Sequence, residues 1–209
     1  MSTVRQQLQQ FWDQRYSAPG FVYGTEPNHF LVEQVMHLPV GARVLCLADG
    51  EGRNGVWLAR QGFDVTSVDV SVQGVDKARR LATQMGVVLN AEVADVTEFD
   101  LGLAQWDAIV SIFLHLPARA RADLHGRAVL ALKPGGVFLW EGYGPEQLSR
   151  NTGGPKDAAL LPALNEVARD FSDCALLHSW SGSRLVQEGS LHTGEGCVTQ
   201  LVARKSFRD

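Results

Sequence analysis

The 209-residue sequence is short of cysteine, has no surplus of basic charge and contains no long apolar run, and each shortage excludes a class of protein. Its three cysteines, Cys46, Cys174 and Cys197, are odd in number and far apart. They form no C-x-x-C pair and no cluster with histidine, so neither a disulfide framework nor a structural zinc site is expected. His29, His37, His125, His178 and His192 show no ligand spacing, and no metal is expected. With 19 Lys and Arg against 23 Asp and Glu, the net charge is −4. Nucleic-acid binding needs a clustered basic excess, so no nucleic-acid partner is expected; "DKARR" at 76–80 reads as the solvated face of a helix. No run of about 18 apolar residues offers a membrane span, and "MSTVRQQLQQ" lacks the charged-then-apolar order of a signal peptide. The expectation is one compact unit in the cytoplasm, with a small molecule as partner and no membrane contact.

What the sequence does contain is alternation. A first helix, "STVRQQLQQFWDQRY", sets Val4, Leu8, Phe11 and Trp12 at helical spacing. "SAPGFVYGTEPN" reads as a loop, and "HFLVEQVMHL" as a second helix stopped near Pro39. From Arg43 short Val/Ile/Leu runs alternate with helix-length segments. Strands are expected at 43–48, 64–70, 87–94, 107–113 and 137–142, with helices from about 53 to Gly62, from the cap-competent Ser71, and over 118–132. "KPGG" at 133–136 reads as a turn. Such alternation marks an α/β fold, a doubly wound, Rossmann-like sheet with helices on both faces. "ALLHSWSGSRLVQEGS" and "GCVTQLVARK", joined through "LHTGEG", read as an antiparallel strand pair that ends it. Within a single domain, 1–40 is expected to form an N-terminal helical cap, 41–145 the α/β core, and 146–209 a closing loop, helix and strand pair.

The stretch "VLCLADGEGRNG" places Gly50, Gly52 and Gly55 in G-x-G-x-x-G spacing where the first strand enters a helix. Ligands of open α/β sheets sit at such strand ends, and glycine lets a ligand approach the backbone. The next strand ends in Asp69, positioned to accept ribose hydroxyls, and the third is followed by Asp95, which reads equally well as a turn former. An NAD-type dinucleotide would need its pyrophosphate at the helix N-terminus. Asp49 and Glu51 flank Gly50 and are expected to repel it, which favours a cationic or zwitterionic ligand such as S-adenosylmethionine. A nicotinamide oxidoreductase and a non-catalytic S-adenosylmethionine-binding protein remain the alternatives.

These residues resemble the class I S-adenosylmethionine-dependent methyltransferases. "VLCLADGEGRNGVWLARQGFDVTSVDVS" resembles the first two motifs of that family, "VADV" the third, "WDAIVSIFLHLP" the fourth and "LKPGGVFLWEGY" the fifth strand. "FWDQRYSAPGFVYGTEPNHFL" is similar to the entry of a subgroup near the tellurite-resistance methyltransferases. The resemblance implies a seven-stranded sheet whose last strand inserts antiparallel between the fifth and sixth. The family usually has an acid and then a glycine at the positions of Cys46 and Ala48, with Asp49 standing next to them. Cys46, between Leu45 and Leu47, reads as a buried small hydrophobe.

By resemblance, Ala48, Asp49, Gly50 and Gly52 hold the methionine part of the cofactor, Asp69 with Val70 the ribose, and Asp95 with Val96 the adenine end, with Arg53 and Ser111 alongside. Arg15 and Tyr16 belong to the segment that relatives use as a lid; Arg15 reads equally as a cofactor-carboxylate partner or as an exposed packing residue. His115 is the general-base candidate because its ordinary pKa lies near neutrality, against an equal reading as a packing residue between Leu114 and Leu116. Glu141 and Tyr143, at the end of the fifth strand, complete the catalytic candidates. The fourth strand, "SIFLHL", lacks the motif used on amino groups of bases. A small-molecule acceptor is expected, with a soft sulfur, selenium or tellurium nucleophile implied by the subgroup.

Overall fold

The computed structural model describes residues 3–207. Its sheet has seven strands in the order β3-β2-β1-β4-β5-β7-β6. They are β1 (Arg43–Leu47), β2 (Asp64–Asp69), β3 (Asn90–Val93), β4 (Trp106–Ile112), β5 (Leu132–Tyr143), β6 (Ala175–Gln187) and β7 (Thr193–Arg204). Strands β1 to β5 pair in parallel, and β7 runs antiparallel to both β5 and β6. The reading of a mostly parallel sheet with an inserted last strand is thus met strand for strand.

The helices are α1 (Val4–Arg15), α2 (His29–Gln34), α3 (Arg53–Arg60), α4 (Val72–Gln84), α5 (Ala118–Ala131) and α6 (Leu164–Arg169). Side chains along a strand alternate between faces, and the core divides accordingly. Leu45, Leu47, Ile109, Phe138 and Trp140 cluster with Leu124 and Ala128 of α5, Val167 of α6 and Phe171. Val44, Cys46, Val110 and Leu139 cluster with Phe30 and Leu31 of α2 and Leu58 of α3. Cys46 is 1% exposed in this second layer, a packing residue as its flanks imply.

Local chemistry sets the element boundaries. Ser71 caps α4 by accepting the Gly74 N–H at 3.0 Å, a preferred N-cap arrangement. Its hydroxyl also donates to Asp13 at 2.6 Å, and Asp13 accepts the Gln73 N–H at 3.1 Å, which ties α1 to α4. The α1 stripe is less buried than its spacing predicts: Leu8 and Phe11 are 40% and 52% exposed, and the side chain of Val4 lies outside the described residues. Strand β3 is shorter than expected because Val87 and Val88 lie outside its pairing with β2, which begins at Asn90. The "KPGG" segment is absorbed into β5 as an irregularity between the pairs Trp106–Leu132 and Ala108–Val137. Thr193–Glu195, expected in the connecting loop, extend β7.

Candidate functional site

The chain leaves β1 through three left-handed residues: Ala48 at φ 52, Gly50 at φ 59 and Gly52 at φ 86. Glycine adopts this conformation freely, whereas Ala48 does so at a cost of about 1–2 kcal/mol. Gly52 is also a close-approach point, because a Cβ there would stand 2.5 Å from the Ala78 Cβ on α4. Asp49 turns away from the strand ends. Its carboxylate accepts the Ser67 hydroxyl at 3.0 Å and the Gly55 N–H at 3.2 Å. Burial holds it up to about 7, against the lowering effect of those bonds. The expectation that Asp49 presents its charge to a ligand is therefore corrected: the carboxylate caps the first turn of α3 from inside the chain.

Glu51 is corrected in the same way. It is 4% exposed and bonds Lys77 Nζ at 2.7 Å and the Val22 and Tyr23 N–H groups at 2.8 and 3.3 Å. Its charge is neutralised by Lys77 and spent on fastening the N-terminal segment 20–23 to α4 and the glycine loop.

Asp69 ends β2 as the spacing predicts and is 6% exposed. One oxygen accepts the Gly50 N–H and the other the Ser71 N–H, each at 2.8 Å. A carboxylate offers about four lone-pair directions, so these bonds do not exhaust its capacity to accept. Burial raises its pKa to about 6. Tyr16, the residue after α1, is 5% exposed, and its hydroxyl lies against Gly50. Burial and the nearby Asp69 carboxylate push this phenol well above its ordinary value. Arg15 donates to the Tyr23 hydroxyl at 3.1 Å and stacks over Phe11 and Trp12.

Beyond the glycine loop lies a buried ionic network. Glu141 has no exposed surface, and both its oxygens are engaged by Asn28 at 2.7 Å, Arg184 at 2.5 and 3.1 Å and Gln200 at 2.5 Å. Glu188 accepts from Asn28 at 2.9 Å, from Arg184 at 2.8 Å and from Arg53. Burial opposes the ionisation of Glu188, but Arg53 and Arg184 outweigh it and hold the carboxyl below its ordinary value. Two carboxylates and two guanidinium groups thus balance. Glu141 and Arg53, expected at the reacting centre and the cofactor, are instead joined through Glu188 and Arg184, neither of which carries a local motif.

The remaining candidates divide. Asp95 accepts the Thr97 N–H at 2.9 Å and hydroxyl at 2.7 Å, a turn-forming arrangement. Val96 is buried in the layer beneath α5, and Val70 is half-buried after β2. Ser111, 1% exposed at the end of β4, has a buried hydroxyl oxygen without a hydrogen-bond partner. His115 and Tyr143 stack with centroids 5.8 Å apart and planes at 10°. Tyr143 is itself fully buried, and its hydroxyl reaches the Thr152 carbonyl at 3.4 Å. Sequence reasoning gave His192 only a surface or core role without naming its neighbours; its ring packs on Tyr23, Phe113 and Tyr143 with centroids 4.6, 4.8 and 5.3 Å away. Its position in the β6–β7 connection gave no signal of this.

Residues 44–136 match a family described as a methyltransferase domain. The chain is 36% identical over 109 residues to a ubiquinone biosynthesis O-methyltransferase of Paramagnetospirillum magneticum, covering 51% of this chain and 43% of that protein. It is 27% identical over 161 residues to a tRNA (uracil(54)-C(5))-methyltransferase of Pyrococcus abyssi, covering 69% and 37%. The chain thus spans less than half the length of these two curated relatives. Among solved structures it superposes on TehB from Haemophilus influenzae with a TM-score of 0.72 at 17% identity, covering 95% of this chain and 67% of that one. No helix among the described residues is long and apolar enough to cross a membrane.

Proposed function

We propose that the chain, whose residues 44–136 match a methyltransferase domain, is a class I S-adenosylmethionine-dependent methyltransferase that transfers a methyl group to a small-molecule acceptor. When bound, that cofactor supplies an electrophilic methyl on a sulfonium. Asp69 accepts the ribose hydroxyls and Ser111 has a hydroxyl without an internal partner, while Gly50 and Gly52 hold the turn between them at left-handed φ. Ala48, Val70, Asp95 and Val96 border the same strand ends, and Tyr16 and Arg15 cover them from the N-terminal side. The chain's contribution to such a displacement is orientation and exclusion of water.

The observation that carries this reading over a nicotinamide oxidoreductase is the position of Asp49. A dinucleotide pyrophosphate takes N–H groups at the first turn of the helix, and here the Asp49 carboxylate already accepts the Gly55 N–H in that turn. A carboxylate built into that place opposes a second anion. The cofactor preference is the one expected from the loop, but the physical reason differs. It is an internal cap, not charge displayed to solvent.

A small acceptor is favoured over the tRNA of the Pyrococcus relative because acidic groups outnumber basic ones. The subgroup resemblance suggests a soft acceptor centred on sulfur or its heavier congeners, and an oxygen nucleophile is the other class that the acceptor panel separates from it. Calorimetry with S-adenosylmethionine and NAD tests the cofactor, and radiolabelled-methyl transfer to a panel of thiols, hydroxyls and chalcogen anions tests the acceptor. Tight NAD binding without S-adenosylmethionine binding would overturn the proposal.

A further inference from the structure

Phe113, just past β4, sits at φ 55, a conformation rare for a bulky residue and one that persists where the surroundings impose it. Its N–H donates to the Glu141 carbonyl at 2.7 Å, which fixes the turn. The turn brings the Phe113 ring to 4.7 Å from Tyr143 and 4.8 Å from His192. Through Tyr23, which lies 4.6 Å from His192 and 6.2 Å from Tyr16, these rings connect the cover of the glycine loop to His115.

Two imidazoles in this cluster have unmet hydrogen-bonding capacity. His115 Nδ1 lies 3.1 Å from the Leu160 carbonyl. A carbonyl only accepts, so Nδ1 carries the proton and Nε2 is left with a bare lone pair. That Nε2 is buried without a partner, and so is His192 Nδ1. Burial lowers His115 to about 4, and burial with the nearby Arg53 lowers His192 to about 3, so both rings are neutral near pH 7. Orphaned buried polar atoms are rare, and each calls for an explanation.

The charges around the cluster narrow what could satisfy those nitrogens. Arg53 is paired with Glu188, and Arg184 with both Glu141 and Glu188. Arg15 is stacked on α1 against Phe11 and Trp12. The walls are rings and neutral imidazoles. They suit an uncharged, flat body that brings a proton, and they offer an oxyanion little.

Resting on the methyl-transfer reading above, we propose that Phe113, His115, Tyr143 and His192 form the acceptor site. It takes an uncharged acceptor with a flat apolar body and a protonated nucleophile, a phenol or an aromatic thiol, whose proton passes to His115 Nε2. A lone pair of the acceptor oxygen or sulfur forms the new bond to the methyl carbon. The sulfonium carbon–sulfur bond breaks with its electron pair retained on sulfur, and the acceptor's proton moves to His115. The positive charge lost from the sulfonium reappears on the imidazolium, so the charge enclosed is unchanged. His115 then returns the proton to water as product leaves.

The test compares the wild-type protein with His115→Gln and His192→Phe; the phenylalanine keeps the ring packing and removes Nδ1. Each is measured for S-adenosylmethionine binding by calorimetry and for labelled-methyl transfer to catechol, thiophenol and selenite. All three proteins are expected to bind the cofactor alike. The wild type should methylate catechol or thiophenol and leave selenite untouched. His115→Gln should lose about 100-fold or more with catechol, the scale of general-base catalysis. The loss with thiophenol should be smaller once that thiol is ionised. Independently of turnover, catechol should shift the His115 Nε2 resonance in ¹⁵N-histidine spectra, and thiophenol should do so at a pH that keeps the thiol protonated. Transfer to selenite alone, unchanged kcat/KM in both variants, or an unmoved Nε2 resonance overturns the proposal. Cofactor binding with no neutral acceptor methylated removes the acceptor assignment alone, whereas a wild type that binds no S-adenosylmethionine removes the underlying reading as well.

Discussion

The hydroxyl of Tyr16 rests against Gly50, so close that a Cβ on Gly50 would stand 2.6 Å from it. Gly50→Ala therefore has two costs, the left-handed φ of 59 and a clash with the tyrosine. The conformational part is about 1–2 kcal/mol, and Tyr16→Ala removes the clash but not the φ. Urea unfolding of the two single variants and the double variant should show a coupling of about 0.5–3 kcal/mol. Strictly additive effects would mean that the two residues do not share that space.

Asp69 is the residue on which cofactor affinity should depend most. Asp69→Ala removes the acceptor of the Gly50 and Ser71 amides along with the diol partner. Binding of S-adenosylmethionine should weaken by about 1–3 kcal/mol, the range for loss of a charged hydrogen-bond partner. Calorimetry reads this directly, and an unchanged dissociation constant would contradict the ribose assignment.

Asp49 gives the protein a pH dependence of definite sign. Its native carboxyl titrates near 7, against an ordinary value of 3.8. Between those values the native state holds a proton that the unfolded chain has released, so stability falls as pH rises through the window. Asp49→Asn abolishes the effect while retaining an oxygen for the Ser67 hydroxyl and Gly55 amide. The melting temperature of the variant relative to wild type should climb from pH 4 to pH 7 and then level off. His115 and His192 work oppositely. Lowered from 6.5 to about 4 and about 3, they contribute stability that is lost as pH falls below 6.5. Both are present in the two proteins, so they cancel in the difference; a flat difference would place Asp49 in solvent.

The Glu141–Arg184–Glu188–Arg53 network should respond to the loss of a single member. Arg184→Ala leaves the fully buried Glu141 carboxylate with only neutral donors, and truncation of one partner of a buried ion pair costs about 3–5 kcal/mol. Adding Glu141→Gln removes the stranded charge and should recover part of that loss. Urea midpoints at constant slope test both steps; a single variant within 1 kcal/mol of wild type would show the network to be hydrated.

The parts legible in the sequence were those written within one element. The strand order, the glycine loop and Asp69 at the end of β2 follow from periodicity, turn chemistry and family resemblance, each carried by a contiguous stretch. Asp49, Glu51, Glu141 and Arg53 were located correctly along the chain, but their side-chain directions were not readable. Their partners are distant: Asn28 meets Glu141 across 113 residues and Glu188 across 160. No local pattern encodes such meetings. The neighbours of His192 were missed for the same reason, since Tyr23, Phe113 and Tyr143 come from three separate segments.

The insertion of β7 between β5 and β6 also has a consequence for how the molecule is made. Strand β5 carries Val137, Phe138, Leu139 and Trp140, each at most 1% exposed once the sheet is complete. Its open side is paired only by Tyr143 through Val137 meeting Val198 through Arg204, at the far end of the chain. While the ribosome is still adding residues 144–204, that edge stands uncovered, an invitation to pairing with another nascent chain. Asn28, near the start of the chain, likewise waits for Glu188 before its amide is satisfied. The β5 edge and the Asn28 amide therefore both depend on the last strands of the chain, so a truncation before β7 leaves the sheet open and the ionic network incomplete at the same time.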